Sequence, residues 1–213
     1  MLKLDWATHG ATAYACRNWH YSKTVPAGKT IKIGVYEGPD DQHLQFIGVV
    51  IFSRGATPEI GSPYGLTQSE VCELTRVALN THVAPVSKIL SLALRFLRTN
   101  SPGLRLVVSY ADADQNHHGG IYQATNWVYT GLMNVGSMGA FVVCGKKVHP
   151  RSIGAAGGTQ SLEWVRANLD PRATVFYTTG KHKYLQPLDE PMRQQIKPLS
   201  LPYPKRAEVP ANV

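Results

Sequence analysis

The chain of 213 residues suits one domain, or one domain with an appended tail, and its 43% apolar content is enough for an ordinary globular core. No apolar run approaches the roughly 18 residues of a membrane span, and Met1-Leu2-Lys3-Leu4-Asp5 lacks the features of a signal peptide. The net charge of +8 is uneven: residues 1–144 hold 11 Lys and Arg against 9 Asp and Glu, and residues 145–213 hold 11 against 5.

Residues 5–22 read as a mixed helical or irregular entry ending in Arg17-Asn18-Trp19-His20-Tyr21-Ser22. Thr30 to Glu37 and Leu44 to Ser53 are β-rich and separated by Gly38-Pro39-Asp40-Asp41, which predicts a hairpin. The glycines and prolines between Arg54 and Ser69 predict a loop. Val71 to Asn80 alternates, and a regular strand would put Val71, Glu73, Thr75, Val77 and Leu79 on one face. Val86, Ile89, Leu90, Ala93, Leu94, Phe96 and Leu97 then recur at helical spacing, with Pro85 suited to the first turn. After the Asn100-Ser101-Pro102-Gly103 stop, Leu104 to Tyr110 is a short apolar strand of the kind buried inside a sheet. Residues 119–129 read as a helix. Phe141 to Cys144 and Val175 to Thr179 read as strands around a helical segment near Leu162 to Leu169.

From Pro187 the chain becomes proline-rich, with Pro191, Pro198, Pro202, Pro204 and Pro210, and reads as an extended tail. The division expected is a catalytic domain over residues 1–186 and a basic tail over 187–213. A strand–helix–strand step from Val71 to Tyr110 demands a right-handed crossover and a parallel pair. The predicted fold class is therefore α/β with a mixed central sheet. Cys16, Cys72 and Cys144 are odd in number and widely spaced, which fits a reducing cytoplasm and small buried residues better than disulfides or a metal pair.

Chemistry concentrates in Ser109-Tyr110-Ala111-Asp112-Ala113-Asp114-Gln115-Asn116-His117-His118-Gly119-Gly120-Ile121-Tyr122 and on to Trp127. Asp112 follows an apolar strand at its carboxyl end, where α/β sheets hold ligands. A carboxylate there can orient an amine, hold a cation or cap the next turn. Asp114 reads as solvated, and Trp127 as packing. Arg76 sits mid-strand, where an unpaired guanidinium is costly, so it pairs with Glu73 or Asp112 or faces a substrate slot. The basic last third is interleaved with Tyr177, Tyr184 and Tyr203 and suits nucleic acid, cations offsetting phosphates and rings stacking on bases.

The strand–helix–strand order resembles the GNAT-type acyltransferase fold, in which two parallel strands splay around an acyl-donor slot. Tyr122-Gln-Ala-Thr-Asn126-Trp127 stands where that fold carries Tyr-x-x-x-Gly-Phe. The closer resemblance is to the Mom DNA-modification family of Mu-like phages, carried by Trp19-His20-Tyr21-Ser22, by Glu73-Leu74-Thr75-Arg76 with Pro85-Val86-Ser87, and by Ser109 through Trp127. That resemblance implies transfer of a carbamoylmethyl group to adenine N6 in double-stranded DNA, in the host cytoplasm, which shields phage DNA from restriction.

It implies catalytic roles for His20, Tyr21, Asp112 and Tyr122. Arg76, Ser87, Ser109, Tyr110, His117 and His118 become substrate or donor contacts, and Tyr64 and Tyr129 candidates for stacking on the base. His20, Tyr21 and Asp112 also offer N and O atoms suited to Fe²⁺. One departure concerns the donor. Residues 80–88 contain no glycine where GNAT proteins cradle the coenzyme A pyrophosphate, and Pro85 removes a donor N–H. The donor is then acetyl-CoA in a non-standard site or another activated acyl group such as an aminoacyl-tRNA. Two other functions fit the composition: a coenzyme A-dependent N-acetyltransferase of a small amine or protein, and a DNA-binding protein that shields without chemistry.

Overall fold

The computed structural model describes residues 1–55 and 57–205. The first half of the chain forms β1 (Leu2–Trp6), α1 (His9–Trp19), β2 (Thr30–Glu37), β3 (Gln45–Ser53), β4 (Val71–Leu79), α2 (Val86–Asn100) and β5 (Leu106–Asp112). There follow α3 (Gly120–Gln123), β6 (Val128–Met133), β7 (Met138–Val143), β8 (Lys146–Val148), α4 (Pro150–Ala155), α5 (Leu162–Asn168), β9 (Thr174–Tyr177), β10 (Lys181–Pro187) and α6 (Glu190–Ile196). Two compact units result. One comprises Met1–Ala111, His118–Gly131 and the chain from Lys183; the other comprises Asp112–His117 and Leu132–His182.

The first unit is an α/β layer structure. A seven-stranded sheet runs in the order β1-β2-β3-β4-β5-β10-β6. The pairs from β1 to β4 are antiparallel and β4–β5 is parallel, as the crossover through α2 requires. The helical spacing after Pro85 becomes one buried stripe, Ile89, Leu90, Ala93, Leu94 and Leu97. It packs with Ile33, Val35, Val50, Phe52, Leu74 and Val107 from one sheet face. Each such aliphatic side chain, fully buried, contributes roughly 1.5–3 kcal/mol.

The opposite sheet face carries Val49, Ile51 and Ala78 with Ala15 and Cys16 of α1, and Val71, Leu106 and Val108 with Met192 and Ile196 of α6. The entry read as mixed is thus an edge strand and a capped helix, with Thr8 accepting the Ala11 N–H at 3.2 Å. Its buried face is Thr12, Ala15 and Cys16, too small and polar to give a strong apolar period. The Arg54 to Ser69 loop contains a 3₁₀ helix over Pro58–Tyr64.

Three sequence expectations are corrected. The β4 alternation breaks at Thr75: Ile51 pairs with Arg76 but Phe52 with Leu74, so Thr75 is the extra residue of a bulge. Cys72, Leu74, Val77 and Leu79 therefore all serve the α2 core, whereas Val71 and Ala78 serve the other face. The helix expected over residues 119–129 is a single turn. Asn126 adopts φ 58°, which ends it, and the apolar residues beyond belong to β6. The segment after Pro187 is not extended throughout: Asp189 accepts the Met192 N–H at 2.7 Å, and Pro191 occupies the first turn of α6, where its missing N–H is harmless. Beyond α6, Leu201 N–H donates to the Tyr129 carbonyl at 2.9 Å and the Tyr203 hydroxyl to the Trp127 carbonyl at 2.7 Å. Pro210 lies outside the described residues.

The second unit holds the three-stranded sheet β8-β7-β9 with α4 and α5. Phe141, Ile153, Val165 and Ala173 form its core. Its late strands and its helix near Leu162 match the sequence reading.

Candidate active site

The parallel pairing of β4 and β5 runs from Val71–Leu106 to Leu74–Ser109 and stops there, although both strands continue. Diverging strands leave backbone groups without ladder partners, which a ligand can use. The Thr75 bulge sits at this parting point, where bulges re-aim side chains. Thr75 Oγ1 donates to the Ile51 carbonyl at 3.1 Å and so holds the bulge against β3.

At the last paired residue, Ser109 Oγ lies 2.9 Å from Leu74 O and 2.8 Å from the Tyr122 hydroxyl. It has one proton. If Ser109 donates to Leu74, the phenol donates into Ser109. If Ser109 donates to the phenol oxygen, the Tyr122 proton is turned elsewhere. Tyr122 is 8% exposed and packs on Trp127 and Tyr184, both ring centroids 5.0 Å away. Burial pushes its hydroxyl up to about 12; Ser109 opposes that, while Tyr21, Glu73 and Tyr184 add to it. Burial, then the charge of Glu73, likewise pushes Tyr110 up to about 12. Glu73 thus acts on both phenols that border the parting strands.

His20 caps the end of α1 and is 8% exposed. The Ser22 backbone N–H points into its Nδ1 at 3.1 Å, and Ser22 Oγ lies 2.8 Å from the same nitrogen. An amide proton is fixed, so Nδ1 accepts and the neutral ring carries its proton on Nε2. His20 is therefore presented as a donor. Tyr21, 53% exposed, stacks on the imidazole at 4.3 Å. Arg76 donates from Nη1 to the Thr75 carbonyl at 2.7 Å and from Nε to the Thr24 carbonyl at 3.3 Å. The bond to Thr24 pins the segment after Ser22 to β4, and the bond to Thr75 folds the guanidinium back over the bulge.

The remaining predicted residues have different surroundings. Asp112 ends β5, and its carboxylate accepts the Asp114 N–H at 3.1 Å, capping the turn over residues 113–115. Asp114, expected to be solvated, is engaged: Thr178 Oγ1 at 2.6 Å, Thr179 N–H at 2.9 Å and Thr179 Oγ1 at 2.7 Å all donate to it. Burial pushes its carboxyl up, but these bonds and the Lys147 charge together hold it below its ordinary value.

His117 is exposed and His118 half-buried. The His118 carbonyl accepts from the Tyr184 hydroxyl at 2.5 Å and from Gln123 Nε2 at 3.1 Å. Gly119 makes that approach possible: at φ 83° a Cβ would lie 2.3 Å from the Tyr184 ring. Asp112 and His117 belong to the second compact unit; His20, Tyr21, Arg76, Ser87, Ser109, Tyr110, His118 and Tyr122 belong to the first. Tyr64 and Tyr129 are buried, 6% and 7% exposed, and present no open ring for a base.

Ser87 lies in the first turn of α2, and the loop before it is closed by a residue absent from the sequence reading. Glu37, at the end of β2, accepts the Val83 N–H at 2.7 Å and the Ala84 N–H at 2.8 Å. His82 Nδ1 donates to the Ala84 carbonyl at 2.8 Å. The Val83 bond foremost, with the Ala84 bond and the charges of His82 and the amino terminus, outweighs burial and holds Glu37 below the usual carboxylate value. A pyrophosphate seated in this loop would compete with Glu37 for those two N–H groups.

Among the described residues no three His, Cys, Asp or Glu side chains come close enough to hold one metal ion, and nothing supports an Fe²⁺ site. Nor does any helix of the described residues have the length and apolarity to cross a membrane.

The sequence profile of the Mom protein family matches residues 1–205. The chain belongs to that family. The methylcarbamoylase Mom of Escherichia phage Mu is 26% identical over 195 residues, which cover 87% of this chain and 76% of the phage Mu protein. Among solved structures, a putative phosphinothricin N-acetyltransferase superimposes with a TM-score of 0.51 at 13% identity, covering 89% of this chain and 100% of its own. A spermidine/spermine N-acetyltransferase from Vibrio cholerae gives a TM-score of 0.48 at 12% identity, over 91% and 96%. The GNAT-type fold expected of the Mom family is the fold found.

Sequence reasoning missed two engaged carboxylates of the first unit. Glu73 was visible as a strand residue, as a partner for Arg76 and in the Glu73-Leu74-Thr75-Arg76 block, but not as a charge acting on Tyr110 and Tyr122, because unbroken alternation hid the bulge beside it. Glu37 had no signal, since its partners lie 46 and 47 residues away.

Proposed function

We propose that this chain is a DNA-modifying transferase that places a carbamoylmethyl group on adenine N6 and so protects phage DNA in the host cytoplasm. The observation that carries this reading is the Mom family match over residues 1–205. The parting of β4 and β5, lined by Glu73, Ser109, Tyr110 and Tyr122, supports a site for the transfer in the first unit.

Adenine N6 is a poor nucleophile, because its lone pair is delocalised into the ring, and in a duplex it is stacked out of reach. The base must be extruded at a cost of a few kcal/mol. As N6 attacks the donor carbon it must shed a proton, and the leaving group must gain one. Of the two carboxylates Glu73 and Asp112, Glu73, whose charge reaches both Tyr110 and Tyr122, is the one assigned to the N6 proton. His20 supplies a fixed donor through Nε2–H, which suits a hydrogen bond to the carbamoyl oxygen of the group being transferred. Tyr122 keeps its proton at neutral pH and is oriented by Ser109, which suits delivery to the leaving group. Ser87, His117 and His118 stay as contacts to donor or DNA. Positioning does the rest, without a covalent protein intermediate.

The test is nucleoside mass spectrometry on DNA from cells expressing the wild type, Glu73→Gln, Tyr122→Phe and Asp112→Asn. The wild type yields modified deoxyadenosine. Glu73→Gln and Tyr122→Phe each lose about 10²–10⁴ in rate, the usual range for a proton-transfer group. Asp112→Asn, which can still cap its turn, stays within about tenfold on that same scale. No modified nucleoside from the wild type sinks the proposal, and a dead Asp112→Asn beside an active Glu73→Gln reverses the assignment of the base.

A further inference from the structure

We infer that the group donor of this enzyme is not a coenzyme A thioester, and that Glu37 is the residue that excludes one. The inference rests on the transferase reading above and adds to it a donor class and a selectivity residue.

The argument starts from what a diphosphate requires. At the loop before a helix it is bound by several backbone N–H groups aimed at its oxygens, and glycine lets the backbone close around it. In residues 80–85 the N–H groups of Val83 and Ala84 already point at the two oxygens of one carboxylate, Oε2 and Oε1 of Glu37. The next residue, Pro85, has no N–H and caps α2 without a side-chain bond. The Ala84 carbonyl, in the following peptide, is taken by His82 Nδ1, so Ala84 is held on both sides.

The place of the phosphate is thus filled by an anion belonging to the chain, in bidentate form and at the end of a strand. Glu37 comes from β2, which is paired on both sides, with β1 and with β3, through its own position. Its backbone is held in the sheet, so release of the two N–H groups needs a rotation of the Glu37 side chain alone. A diphosphate would have to displace two charge-assisted bonds and then lie beside the displaced carboxylate, so like charges would oppose the very contact that binds coenzyme A. The transferred group must arrive on a carrier that makes no such demand of this loop.

The measurement is calorimetric titration of the full-length wild type, Glu37→Ala and Glu37→Gln with coenzyme A and, separately, with inorganic pyrophosphate. The wild type shows no saturable binding of either up to about 1 mM, the regime of non-specific contact. Glu37→Ala gains at least about tenfold in pyrophosphate affinity as the two N–H groups are released. Glu37→Gln, of the same shape but neutral, gains less and guards against loss of fold, which thermal melting checks. Saturable coenzyme A binding by the wild type overturns the inference about the donor. No gain in either folded variant overturns the role of Glu37. A failure of the transferase reading itself appears elsewhere, as wild-type DNA without modified deoxyadenosine.

Discussion

Asp114 shows how a single side chain can serve the fold from within a segment rich in reactive groups. Its carboxylate collects three donors from Thr178 and Thr179, and Thr178 in turn gives its N–H to Ser137 and accepts from Gly136 through its carbonyl. One charge therefore organises two loops of the second unit. Its folded-state value is depressed, so its stabilisation is present above the unfolded carboxylate range and is lost as pH falls through the folded value. Unfolding measured by urea between about pH 6 and pH 2 should show the wild type losing stability across the acid range, with Asp114→Asn flatter there. At neutral pH Asp114→Ala costs about 1–2 kcal/mol, the worth of charge-assisted bonds discounted for a half-exposed group. An unchanged acid limb in Asp114→Asn would remove the carboxylate from this role. None of this was visible in the sequence, since the threonines lie 64 and 65 residues away.

Elements separate by how their information is stored. α2 was legible because five buried residues at helical spacing, between Pro85 and the Asn100-Ser101-Pro102-Gly103 stop, satisfy period and boundary together. The β2–β3 hairpin and the parallel β4–β5 pair were legible for the same reason. The single turn of α3 was not, because Ile121, Tyr122, Trp127 and Val128 fit a helical face as well as they fit a turn followed by a strand; Asn126 in the left-handed region decides between them. α6 was hidden by prolines that can begin a helix as well as prevent one. The chain beyond α6 closes over the core backbone, through Leu201 to Tyr129, Tyr203 to Trp127 and the Pro204 carbonyl to Gln123 Nε2 at 3.2 Å. Truncation after Leu199 should therefore cost about 2–4 kcal/mol, from the missing hydrogen bonds and the uncovered apolar surface. Denaturant melts of the truncated chain read this directly, and a midpoint equal to wild type would mean the segment only rests on the surface.

At the scale of the whole molecule the relevant quantity is charge. Residues 132–182 carry six Lys and Arg against Glu163 and Asp170. Asp170 spends its carboxylate on the N–H groups of Cys144 and Arg172. This excess predicts duplex binding that weakens steeply with salt, through release of counterions from phosphates. In fluorescence anisotropy, replacing Lys146, Lys147 and Lys181 by Gln should lower the slope of log affinity against log salt by about one for each phosphate no longer neutralised. A triple variant with the wild-type slope would direct attention to the cations of the first unit.

The bulge at Thr75 has a consequence for how this family can vary. A strand without it would carry Glu73 and Val77 on the same side, so a carboxylate would share the face that packs against α2. With it, the two halves of β4 obey opposite phases, and each half can change under its own constraint. Upstream, Cys72 and Leu74 can be exchanged for other core residues without turning the divergent end. Downstream, Arg76 and its neighbours can be exchanged without disturbing the paired end. One surplus residue thus lets a single strand be inherited as two independent parts.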